Sequence, residues 1–281
     1  MPDVYENNLS IADGLLSRKG HALLYILLPA YNEEKDLGAL MERIHACLCA
    51  GVEPYTLVVV NDGSSDRTLQ VAQGCAQRMP VMVLDHGVNK GLGQAMRTGI
   101  RAVVDIAAPE DVLIAMDADN THDTALIPGM IELIRAGKDV VIASRYQQGG
   151  KEIGLAYHRH VLSKGINTGL SVLFPIRGAR DYTCGYRAYR IAALQQAFAE
   201  YGDAFIEEHG FTCMAEILLK MARLGVAVDE VPLILRYDYK SGASKMKVAR
   251  TIRRYFTLIW HVKFQLTPPR HPISVSAGHS G

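Results

Sequence analysis

Asp117 and Asp119 stand one residue apart, directly after the apolar run Val112–Met116. Two carboxylates at that spacing, past a buried strand where a bend aims both at one point, suit a hard divalent cation whose other ligands are phosphate oxygens. The same pair also suits the cap of a following helix, so the motif alone decides nothing. Its company is informative. Polar and glycine-rich segments follow three other apolar runs: Pro29-Ala30-Tyr31-Asn32-Glu33, Asn61-Asp62-Gly63-Ser64, and Asp85 to Gly93 with Lys90 inside it. Acids and glycines that recur after successive strands of an α/β sheet converge on one rim, where such sheets bind ligands. In the second half, Arg159, Ser163 and Asn167 recur every four residues, which puts them on one helix face. Asp181 has three readings. It is a general base if the group acted on is a hydroxyl, it is not needed as a base if that group is already anionic, and otherwise it orders its own loop through Arg180 or Arg187.

A sheet is needed to carry these residues. Strand-length apolar runs at Leu23–Leu28, Thr56–Val60, Val81–Leu84, Val112–Met116 and Val140–Ala143 alternate with helical periodicity. That pattern predicts an α/β fold, with a mostly parallel central sheet and helices on both faces. Leu37, Leu40, Met41, Ile44 and Leu48 mark the first helix, and a second runs to about Gln77. With 281 residues, 49% of them hydrophobic, the chain can bury one substantial core. We expect a flexible N-terminus over 1–20, the main domain over 21–240, a basic loop and amphipathic helix over 241–266, and a disordered Pro, Ser and Gly tail over 267–281.

A formal net charge of +1 argues against a nucleic-acid partner, which would need many concentrated Lys and Arg. The five cysteines are odd in number and contain no C-x-x-C pair, so neither a disulfide framework nor a zinc knuckle is indicated and a cytoplasmic location is expected. The apolar stretch Ala22 to Ala30 is too short to cross a bilayer. Met246 to Leu266 interleaves Lys247, Arg250, Arg253 and Arg254 with Tyr255, Phe256 and Trp260. Such a segment either lies peripherally on an anionic membrane surface or packs against the domain.

Taken in order, P-A-Y-N-E at Pro29 to Glu33, N-D-G-S-S-D at Asn61 to Asp66, N-K-G-L-G-Q-A at Asn89 to Ala95, D-A-D at Asp117 to Asp119, A-S-R at Ala143 to Arg145, D-Y-T-C-G-Y-R-A-Y at Asp181 to Tyr189 and E-V-P at Glu230 to Pro232 resemble the family 2 glycosyltransferases of GT-A (Rossmann-like) fold. Within them the chain is similar to the polyprenyl-phosphate sugar synthases of the dolichol-phosphate mannose type. The resemblance spans Leu23 to Lys245 and implies an inverting hexosyltransferase with a C-terminal helical extension. It implies a nucleotide-sugar donor of the GDP-mannose or UDP-glucose type, and a phosphorylated lipid acceptor at the inner membrane face. A small-molecule hydroxyl acceptor, or a binding module without turnover, stays open.

By the same resemblance Pro29, Tyr31 and Glu33 hold the donor base and ribose, Asp62 reads a base N–H, and Lys90, Ala118 and Lys245 meet the donor. Asp117 and Asp119 carry Mg²⁺ or Mn²⁺, while Arg145, Arg159, Ser163 and Arg236 take the acceptor phosphate. The chain departs from the family pattern at Thr121, where a metal-supporting glutamine is common, and the spacing from Arg236 to Gly242 is longer than usual.

Overall fold

Tyr55–Asn61 reads Y-T-L-V-V-V-N, rich in β-branched side chains, and in the computed structural model all seven residues are buried. A strand apolar on both faces belongs in the middle of a sheet covered on both sides. The structure describes residues 22–49, 54–154, 157–237 and 253–260, with the backbone alone for 157–159. Tyr55–Asn61 is β2, and it lies between β1 (Leu24–Ala30) and β3 (Val81–Asp85), parallel to both. β4 (Val112–Ala115) continues the parallel set on the far side of β1.

The sheet has seven strands, adding β5 (Val140–Ser144), β7 (Arg187–Arg190) and β8 (Val228–Pro232) to those four. β7 lies between β4 and β5 and runs antiparallel to each, with Ala115 opposite Arg187 and Val112 opposite Arg190. β8 then pairs parallel with β5. The mostly parallel sheet expected from the sequence therefore carries one reversed strand. A separate two-stranded ribbon pairs β6 (Lys151–Ile153) with β9 (Ile234–Arg236), so β8 and β9 serve different sheets although they are neighbours in sequence.

Helices cover the sheet as the periodicity requires. α1 (Leu37–Cys49) buries Leu37, Leu40, Met41, Ile44 and Leu48, and α2 (Thr68–Ala76) buries Thr68, Ala72 and Cys75. α3 (Leu92–Val104) lays Ala95, Met96, Gly99, Ile100 and Val103 on the core. α4 (Ile127–Arg135), α5 (Tyr157–Leu173), α6 (Ile191–Tyr201) and α7 (Cys213–Arg223) complete the set. Residues 253–260 form α8, which sends Tyr255 and Leu258 into the core while Phe256 and Trp260 stay 70% and 57% exposed. Among the described residues no helix is long and apolar enough to cross a membrane. The expected arm over 1–20, the tail over 267–281 and most of the basic segment over 241–266 lie outside the described residues.

Candidate active site

The loops that leave β1, β2 and β3 are stitched together by their own polar groups. Asn32 adopts a left-handed φ of 54°, donates its N–H to Ser64 Oγ at 2.9 Å and accepts from Ser65 N–H at 2.8 Å. Asp62 is the hub. Its Oδ1 accepts from Lys90 N–H at 2.9 Å and meets His86 Nδ1 at 2.7 Å, while its Oδ2 accepts from Gly91 N–H at 2.8 Å. The other ring nitrogen of His86 meets Thr98 Oγ1 at 2.9 Å. Asp62 is only 3% exposed, so its carboxylate supports the 86–91 loop. Backbone amides thus meet both oxygens of Asp62, the residue expected from the sequence to read a base N–H. Tyr31 keeps an exposed ring just past β1, Pro29 and Glu33 are half-buried beside it, and the Lys90 side chain is exposed.

α3 begins flush against another segment. Gly91 has φ +92°, and a Cβ at either Gly91 or Gly93 would strike backbone, the His209 carbonyl oxygen in one case and that of Glu208 in the other. Residues 207 and 208 are fixed in turn by Glu216, whose Oε2 accepts their N–H groups at 3.0 and 2.9 Å. Lys220 is buried on the same helix and donates to Glu216 Oε1 at 2.6 Å. The acids at 207 and 208 thus belong to a support behind the 89–93 turn.

Past β4 the two aspartates differ. The Asp117 side chain is 40% exposed, and Gly185 approaches so closely that a Cβ there would lie 3.2 Å from Asp117 Oδ1. Its N–H donates to His122 Nδ1 at 3.2 Å, and the His122 ring stacks on Tyr186 at 4.9 Å between centroids. His122 therefore orients the D-A-D turn. Asp119 is buried and its Oδ1 accepts from Thr121 Oγ1 at 2.6 Å, so Thr121 aligns that carboxylate; Ala118 between the two acids is buried. Among the described residues no three His, Cys, Asp or Glu side chains form a metal cage. A pair of rim carboxylates with one open side chain fits a hard ion that completes its oxygen shell from phosphate and water.

A second cluster centres on Arg145, just past β5. Asp181 Oδ2 accepts from Arg145 Nε at 2.7 Å, and Asp181 Oδ1 accepts from Nη2 at 2.7 Å. Nη2 also donates to Thr183 Oγ1 at 2.6 Å, while Nη1 donates to Glu152 Oε1 at 2.9 Å and Ser163 Oγ at 3.4 Å. A guanidinium has five N–H donors, and each of the five has a partner here. Asp181 is fully buried and also accepts from Arg145, Thr183 and Cys184 backbone N–H groups. Burial alone would raise its carboxyl, but the Arg145 charge and these donors hold it below the ordinary value. Asp181 is thus a buried anion that fixes Arg145, an arrangement that accords with the reading in which it orders its surroundings. Burial pushes the neighbouring Cys184 thiol up to about 12, so that thiol stays protonated.

Further residues fix this cluster. Asn167 accepts from Tyr182 N–H at 2.7 Å and donates to Arg180 O at 2.5 Å, and Glu230 Oε1 accepts from Asp181 N–H at 2.8 Å. The helical row read from the sequence therefore divides: Ser163 meets Arg145 and Asn167 holds the 180–182 loop. Arg236 lies half-buried on β9, in register with Ile153. The Arg159 side chain and Lys245 lie outside the described residues. Glu152 escaped the sequence reading because nothing in Lys151-Glu152-Ile153 sets its acid apart; its inward direction comes from strand alternation between two exposed neighbours.

A family model described as glycosyl transferase family 2 matches residues 25–198. A dolichol-phosphate mannosyltransferase of Pyrococcus furiosus is 34% identical over 84% of this chain, which spans 62% of that protein's length. A polyprenol monophosphomannose synthase of Mycolicibacterium smegmatis is 30% identical over 87% of this chain and 89% of its own. Among solved structures, glucosyl-3-phosphoglycerate synthase from Mycobacterium tuberculosis, in complex with Mn²⁺, uridine diphosphate and glucosyl-3-phosphoglycerate, superposes with a TM-score of 0.62 at 18% identity, covering 92% of this chain and 83% of the other. That likeness is one of architecture, and the architecture is GT-A.

Proposed function

The chain belongs to glycosyl transferase family 2, and on that premise we propose that it transfers a hexose from a nucleotide-sugar, of the GDP-mannose or UDP-glucose type, to a polyprenyl phosphate with inversion. An acceptor phosphate oxygen attacks the anomeric carbon as the bond from that carbon to the donor diphosphate breaks, and the nucleoside diphosphate leaves. Tyr31 offers a stacking face to the base, with Pro29 and Glu33 beside it and Lys90 near the diphosphate. Asp62 acts through the 86–91 loop it supports. Asp117 and Asp119 would hold Mg²⁺ or Mn²⁺, which when bound neutralises charge developing on the leaving diphosphate. Arg145, Arg159, Ser163 and Arg236 form the acceptor-phosphate side, and Lys245 follows on the donor side.

The observation that carries this reading is the withdrawal of Asp181, fully buried and bonded to Arg145 through both oxygens. A hydroxyl acceptor must give up a proton to a base, whereas a phosphate monoester is already ionised near neutral pH. The two relatives, a dolichol-phosphate mannosyltransferase and a polyprenol monophosphomannose synthase, support the same class of acceptor. Exposed Phe256 and Trp260 on α8, with Arg253 beside them, suit a peripheral position on the cytoplasmic face of an anionic membrane, where such a lipid presents its headgroup.

The test supplies GDP- and UDP-sugars with Mg²⁺ or Mn²⁺, with and without a polyprenyl phosphate, and follows release of nucleoside diphosphate. Release that requires the lipid phosphate is expected. Equal release with a neutral alcohol in its place would overturn the acceptor assignment.

A further inference from the structure

Arg145 presents a difficulty for any phosphate acceptor, because all five of its N–H donors already have partners in the protein. Three of the contacts belong to one turn: the Asp181 pair is buried and reinforced by backbone amides, and Thr183 follows it. The Nη1 side, although Glu152 is buried too, is different in kind. Glu152 Oε1 reaches Arg145 Nη1 at 2.9 Å, beside Ser163, while its other oxygen, Oε2, meets His160 Nδ1 at 2.5 Å. The His160 side chain is 42% exposed, so Glu152 bridges a buried cation and a solvent-facing ring. Glu152 also rides on the three-residue strand β6, which among the described residues pairs only with β9, in a ribbon separate from the main sheet.

We infer that Glu152 is the protein's own anion in the acceptor site: its carboxylate holds the place on Arg145 Nη1, beside Ser163 Oγ, that an oxygen of a phosphate monoester takes, and the phosphate enters by exchange with it. This rests on the acceptor reading given above. Leaving Glu152 in place while phosphate arrives would set Glu152, Asp181 and a phosphate around one guanidinium, an arrangement like-charge repulsion opposes. Exchange avoids it, since Glu152 keeps its His160 contact as it leaves Arg145. A neutral hydroxyl could not replace a carboxylate on the guanidinium at equal strength, so the exchange also selects for anionic acceptors.

The test compares full-length wild type with Glu152→Gln and Glu152→Asp, measuring acceptor KM for a polyprenyl phosphate, donor KM and kcat. Glu152→Gln removes the competing charge and keeps an oxygen on Arg145, so acceptor KM is expected to fall about tenfold at constant donor KM. A raised acceptor KM overturns the inference, because Glu152 would then be orienting Arg145 for the acceptor. If thermal melts show that Glu152→Gln has lost its fold, Glu152→Asp, which withdraws the charge by one methylene, is read for the same direction. Calorimetric titration with inorganic phosphate provides a readout without turnover. Tighter binding by Glu152→Gln than by wild type supports exchange, and equal or weaker binding overturns it. A wild type that transfers only to neutral alcohols, combined with a tighter phosphate site in Glu152→Gln, would fault the acceptor reading and leave the exchange standing.

Discussion

Asp117 and Asp119 divide their labour through exposure, the first open to the cleft and the second buried against Thr121. Asp117→Asn keeps the shape of the turn, so it should leave the thermal midpoint unchanged while reducing kcat by about 10²–10³-fold, the usual cost of losing one group that stabilises leaving-group charge. Full activity of that variant, or of wild type in EDTA, would remove the metal from the reaction. Asp181→Asn should behave in the opposite manner. Breaking one side of a buried ion pair costs roughly 3 kcal/mol, measurable by urea unfolding at pH 7. Its kcat should stay within about tenfold of wild type, where loss of a true base would cost about 10²–10⁴-fold. The carboxyl of Asp181 is held below its ordinary value, so its contribution is fully present above about pH 4 and fades as pH falls through the folded value. The stability gap between wild type and Asp181→Asn should therefore narrow at pH 3, and a gap equal to that at pH 7 would contradict the assignment.

At the scale of elements, the start of α3 is fixed from two directions, by the Asp62 carboxylate below the 90–91 amides and by the 208–209 backbone against its glycines. Gly93→Ala has no room for its methyl and should destabilise the fold by about 1–3 kcal/mol, with a raised donor KM as the turn shifts. Asp62→Asn should raise donor KM several-fold with kcat at saturation largely retained, the signature of lost uniform binding. A depressed kcat at constant KM would give Asp62 a place in the chemical step. Periodicity in the sequence locates these elements well: the apolar positions read for the first helix are those α1 buries, and the five strand runs all form strands. The glycines at 91 and 93 also stand out in the sequence, within the polar segment that follows the third strand. Their cause was not legible, because the wall they press on lies more than a hundred residues away in the chain. Asp181 shows the same limit. Its neighbours in sequence, Arg180 and Arg187, looked like its partners, yet Arg180 turns to Gln147 and Arg187 to the Met214 and Tyr182 carbonyls, and the ion pair forms with Arg145. Local spacing encodes helix faces and strand ends, but which charge closes on which is decided only when the sheet assembles.

Over the whole molecule, α8 joins the periphery to the core. Tyr255→Ala should cost about 3 kcal/mol or more, as truncation of a buried aromatic does. Phe256→Ser with Trp260→Ser should leave stability unchanged and weaken binding to anionic vesicles at least about tenfold, read by sedimentation at low salt. Equal sedimentation of this double variant would place the membrane contact elsewhere. The reversed strand β7 has a temporal consequence as well. Among the described residues β5 pairs only with β7 and β8, and one edge of β4 stays bare until β7 arrives. On the ribosome, a nascent chain ending near residue 150 can assemble β1 to β4 but must carry β5 unmoored and one strand edge unprotected. The D-A-D turn also lacks Gly185 beside it at that stage. Synthesis of residues 181–190 therefore joins β4 to β5 and sets Gly185 beside the D-A-D turn, ahead of β8 and the 208–209 wall, so a chain cut short before them keeps an unpaired strand edge and lacks part of the cleft.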